Sequence, residues 1–145
     1  MSKMRKTAII VAAVLLLVLI VLPFVIVIVN DNTAAGVERE LVSLPLPEKT
    51  VFVESLSKAG KLVGNGNGVQ YYGAMLITSQ MPLEELQSYY KQYNCDVFIQ
   101  KTSNIDSLHG TVSFKTDTVP DNAYRVELWG ESPSWFFAEF DIRGH

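Results

Sequence analysis

The sequence predicts an α+β protein: an N-terminal transmembrane helix, then a small antiparallel sheet built as a β-hairpin, a helix and a three-strand meander, with one covering helix. Three observations carry this. Residues 8–29 are 22 consecutive residues without a charged or strongly polar side chain. The last 96 residues are dominated by an apolar period of two, the signature of strands with one buried face. A single segment, 82–93, carries the helical period instead.

The apolar run comes first. As a helix rising ~1.5 Å per residue it reaches roughly 33 Å, enough for a hydrocarbon core of about 30 Å. Eighteen of its residues are Leu, Ile, Val or Phe. Together they favour insertion by roughly 5–11 kcal/mol. Pro23 removes one backbone donor past the middle, which spanning helices tolerate. Lys3, Arg5 and Lys6 precede the run, whereas the nearest cation beyond it is Arg39. The positive-inside bias therefore places residues 1–7 in the cytoplasm as a basic head and exports everything after Asn30. The expected location is the cell membrane, single-pass, with an extracellular C-terminal domain. The run is longer than the 7–15 residues of a signal-peptide core, which favours a retained anchor over a cleaved leader.

Outside the basic head, nine Lys and Arg stand against fifteen Asp and Glu, a net charge of −6. No basic stripe is left to track phosphates, so nucleic acid is not an expected partner. Cys95 is the single cysteine and has no internal disulfide partner.

Residues 30–49 read as a stalk in which 37–42 can extend a helix briefly. Asp31, Asn32 and Gly36 are loop formers, and Leu44-Pro45-Leu46-Pro47 enforces extended backbone. The domain then occupies 50–145. Its β-branched run 50–56 and the strand-like run 70–78 pair as a hairpin around a glycine-rich link. Pro82 and Glu84-Glu85 open the helix, whose stripe is Leu83, Leu86, Tyr90 and Tyr93; Asn94 ends it. Strands are expected at 96–100, 111–115, 124–129 and 134–142. On the last of these Trp135, Phe137, Glu139 and Asp141 share a face that the helix leaves uncovered.

The chemistry-bearing candidates are few. Gly64-Asn65-Gly66-Asn67-Gly68 has the composition of a tight hairpin turn, yet its amides could also converge on a ligand. Glu139 and Asp141, two apart on one strand, suggest an acid–base pair or a solvated edge. His109 and His145 lack companions at metal-ligand spacing, and Cys95 follows a helix rather than preceding one. No catalytic, cofactor-binding or metal residue is assigned, and no cofactor is expected. The aromatics exceed what so small a core needs, which points to contact with a protein or an envelope component. The expected surface is Gly64, Asn65, Gly66, Asn67 and Gly68 with Tyr71, Trp135 and Phe137. Two other roles remain open: a cell-wall glycan-acting enzyme using Glu139 and Asp141, and an accessory subunit of a membrane complex.

The segments Leu44-Pro45-Leu46-Pro47, Gly60-Lys61-Leu62-Val63-Gly64-Asn65-Gly66-Asn67-Gly68, Tyr72-Gly73-Ala74-Met75-Leu76-Ile77 and Leu83-Glu84-Glu85-Leu86 resemble uncharacterised single-pass membrane-anchored proteins of Gram-positive gut bacteria. The resemblance implies a bacterial surface domain of mixed α and β structure and carries over no functional residue.

Overall fold

In the computed structural model, residues 3–64, 66 and 68–144 are described. Helix α1 runs from Lys3 to Ser43, 41 residues or about 60 Å, without interruption at the end of the apolar run. It is long and apolar enough to cross a membrane. The stretch 30–43, expected to be an irregular stalk, is therefore helix. Ile26, Asn30, Ala34, Val37 and Leu41 recur every three or four residues and form its buried stripe, which docks against the sheet. That burial outweighs the loop preference of Asp31, Asn32 and Gly36.

Strands β1 (Thr50–Gly60) and β2 (Gln70–Ser79) form the expected hairpin, antiparallel, with an irregularity between Phe52 and Glu54. Helix α2 spans Leu83–Lys91 and buries Leu86 and Tyr90, two members of the expected stripe. Asn94 ends that region with a positive φ of 59°, which asparagine tolerates better than most residues. Strands β3 (Asp96–Ile99) and β4 (Ala123–Gly130) follow. The sheet is four-stranded and antiparallel in the order β1-β2-β4-β3. Strand β4 thus fills the gap between β2 and β3, making β2–α2–β3 a split βαβ unit.

Two of the expected strands are not formed. Segment 111–115 contributes only one bridge, Asn104 with Ser113, and buries Val112 and Phe114 against the sheet as part of a long loop. Segment 134–142 contains helix α3, Trp135–Glu139, instead. The Ser134 hydroxyl accepts a hydrogen bond from the Phe137 amide (3.4 Å) and caps it. The aromatic alternation that suggested a strand fits a short helix equally well, and the cap decides between them.

Alternation along β2 builds two cores. Tyr71, Met75 and Ile77 face α1 and α2 and pack with Val37, Leu41, Leu86 and Tyr90. Tyr72, Ala74 and Leu76 face the other way and pack with Ile105, Leu108, Val112 and Phe114 of the loop after β3. Neither sheet face is left bare. Helix α1 lies so close to β2 that a Cβ on Gly73 would sit 2.9 Å from the Glu38 amide nitrogen. Glycine at that position is what permits the approach.

Candidate functional site

The most concentrated chemistry in the molecule lies where α1 leaves its apolar run. Asn30 is fully buried there. Its amide donates to the Phe137 carbonyl (2.8 Å) and to Asp141 Oδ2 (2.6 Å), and its Oδ1 accepts from the Tyr71 hydroxyl (2.6 Å). Asp141, also fully buried, accepts from the Arg143 amide (2.8 Å), from Nε (3.0 Å) and from Nη2 (2.8 Å). Arg143 in turn pairs with Asp31 (2.6 Å) and donates to the Val27 carbonyl (3.4 Å). A short run of helix α1, strand β2 and the C-terminal segment are thereby tied at one point.

Electrostatics follow the geometry. Burial pushes the Asp141 carboxyl up, but hydrogen bonds from Arg143 and Asn30 outweigh it and hold it at about 2. The same pairing with Asp141 pushes the Arg143 guanidinium further up, so both stay charged across the physiological range. Burial raises the Tyr71 phenol, which therefore remains a donor. A charge pair and three neutral donors and acceptors that satisfy one another form a clamp rather than a reaction centre.

The residues expected to form a contact surface divide accordingly. Tyr71 is 1 % exposed and faces α1, not an uncovered sheet face, so it is withdrawn from that surface. Phe137 is half-buried, and its carbonyl serves the clamp. Trp135 is 70 % exposed on α3. Asn65 and Asn67 lie outside the described residues. Gly64 and Gly68 have positive φ values of 69° and 90°, as a turn requires. The Gly68 amide donates to the Gly144 carbonyl (3.0 Å) and the Val69 amide to Ala138 (2.7 Å). The end of the glycine-rich loop and α3 are thus neighbours, at the span end of the domain.

Glu139 and Asp141 do not share a strand face: one is the exposed last residue of α3, the other is consumed by the clamp. Cys95 is buried, and desolvation pushes its thiol up to about 11, the opposite of what a nucleophile needs. His109 is exposed in the long loop, and His145 lies outside the described residues. Among the described residues no cluster of three or more His, Cys, Asp or Glu has the arrangement to hold a metal ion.

A second buried polar group sits on the opposite face of the sheet. Glu127 accepts from the Tyr72 hydroxyl (2.8 Å) and pairs with Arg125 (3.0 Å). Arg125 also donates to Gln100 (3.0 Å) and lies over the Phe98 ring, 4.9 Å from its centroid. Gln100 then holds the carbonyls of Thr102 and Asn104 (2.7 Å each). This chain fixes the start of the long loop to the sheet.

Sequence reasoning missed Asn30, Asp31 and Arg143. The signal was available: the 3–4 spacing of Ile26, Asn30, Ala34, Val37 and Leu41 continues one stripe from the apolar run into the supposed stalk. No protein-family model matches the chain, and neither the curated proteins nor the solved structures include one detectably similar to it.

Proposed function

We propose that this chain is a single-pass membrane protein whose extracytoplasmic α+β domain is a non-catalytic binding module held rigidly against the bilayer surface. The observation that carries the reading is the continuity of α1, which passes from an all-apolar exposed half into the core of the domain with a buried clamp at the transition. The basic head supports a cytoplasmic N-terminus. The glycine-rich loop supplies the contact surface, and its place beside α3 and the span favours a partner that is in the membrane or against it. An accessory subunit of a membrane complex is the same reading with the partner embedded. The acid pair on which a glycan-cleaving role stood is dissolved by the burial of Asp141.

Two measurements test this. In a Cys95→Ser background, a cysteine placed at the exposed Asp106 should react with a membrane-impermeant maleimide on intact cells. Labelling only after lysis would reject the topology. A photo-crosslinker at Gly66 should then capture a membrane-associated partner that a probe at Asp106 does not. Identical capture from both sites would reject the contact surface.

A further inference from the structure

We infer that α3 and the residues after it form an aromatic collar that seats the domain in the headgroup layer of the bilayer. The inference rests on the membrane reading above and names what covers this surface: lipid.

Three observations converge. First, the rings cluster. Trp135, Phe136 and Phe140 lie 5.1–6.0 Å apart between centroids, and Phe137 lies 5.5 Å from Phe136. Second, the cluster is open. Trp135 is 70 %, Phe140 55 % and Ile142 71 % exposed, an unusual concentration of bare apolar surface on so small a domain. Third, its height along α1 is fixed. The clamp bonds Phe137 and Asp141 to Asn30, the first residue beyond the apolar run, and Arg143 reaches back to the Val27 carbonyl inside it. Ile26 is 2 % exposed although the run before it is bare, so the domain covers the last turn of the apolar segment.

The collar therefore stands beside residues 26–30. Residues 8–25 remain as bare apolar helix, about 27 Å long, close to a hydrocarbon thickness. Aromatic side chains at that height occupy the interface, where amphipathic rings are favoured. The partly exposed Arg143 guanidinium sits at the level of lipid phosphates. Continuity with the apolar run is what selects lipid over a second protein chain.

Tryptophan fluorescence tests it on the full chain in phosphatidylcholine vesicles. The native protein is compared with Trp135→Phe, so the difference isolates Trp135 from Trp129. The expected signal is blue-shifted, loses most of its intensity when dibrominated phosphatidylcholine replaces the ordinary lipid, and resists aqueous iodide. Quenching by iodide and not by bromolipid would overturn the collar. A blue-shifted signal that neither quencher reaches would also overturn it, because protein would then cover the rings. A Phe24→Trp probe in the Trp135→Phe background separates the two ideas. If that probe is quenched by bromolipid while Trp135 is not, only the collar fails; if neither is quenched, the membrane reading fails with it.

Discussion

The two halves of α1 are the same secondary structure in different surroundings, one bare and the other packed against the domain. From Ala8 to Val25 the helix is apolar on every side and most of its side chains are exposed. From Ile26 onward it has one buried stripe, with Glu38, Arg39 and Glu40 among the residues off it. The first half has no preferred direction around its axis, because it is apolar all round and little of it is packed against the domain. The second half has a defined rotation, set by Val37 and Leu41 against β2 and by the hydrogen bond from Ser55 to Glu38 (2.6 Å). Asn30 marks the change, and its three partners turn a change of surroundings into a fixed geometry.

Paired truncations should give the largest contrast. Leu41→Ala removes a fully buried side chain and is expected to cost roughly 2–5 kcal/mol of domain stability, whereas Leu17→Ala in the bare half should leave the thermal transition of the solubilised protein unchanged. Equal effects would mean that the halves are not distinct. Asn30→Ala should come next, at about 2–3 kcal/mol, because the Tyr71 hydroxyl and the Asp141 carboxylate each lose a buried partner. Denaturant titration reads this directly.

Acid should act on the same clamp. The Asp141 carboxyl lies lower in the folded protein than its ordinary 3.8, so its contribution is fully present above that value. The contribution is lost as pH falls from about 4 toward 2 and amounts to about 2 kcal/mol. Stability measured across that window should fall in the native protein and fall less in Asp141→Asn. The smallest effect carries the opposite sign. The buried Tyr90 hydroxyl has no hydrogen-bond partner among the described residues, so Tyr90→Phe should be neutral or stabilise by up to about 1 kcal/mol. A clear loss would show that a water or another group serves that hydroxyl.

Legibility from sequence followed the strength of each periodic signal. The apolar run, the hairpin, α2 with Leu86 and Tyr90, β3 and β4 were readable because their periods extend over many residues or are bounded by strong breakers such as Pro82 and Asn94. Segment 134–142 was misread because five residues of helix present too few turns to separate a period of two from one of 3.6, and only the Ser134 cap distinguished them. Segment 111–115 alternates like a strand, yet Val112 and Phe114 find burial with a single bridge, Asn104 with Ser113, in place of a ladder. The clamp was hidden for a different reason. Its members Asn30, Tyr71, Asp141 and Arg143 lie far apart in the sequence, and although the stripe through Ile26, Asn30 and Ala34 points to burial of Asn30, no local pattern pairs it with Tyr71, Asp141 or Arg143. Tyr71 was placed on the wrong side because the face of β2 depends on α1, whose second half was taken for a stalk.

In the proposed single-pass arrangement, α1 is an unjointed rod through a bilayer and behaves as a lever. With residue 25 as the fulcrum, Ser43 lies 18 residues outward, about 27 Å along the axis. A tilt of about 20°, ordinary for a spanning helix, would swing that outer tip sideways by roughly 9 Å. Membranes of different thickness would thus aim the same cargo at different neighbours, without any residue in it moving relative to another.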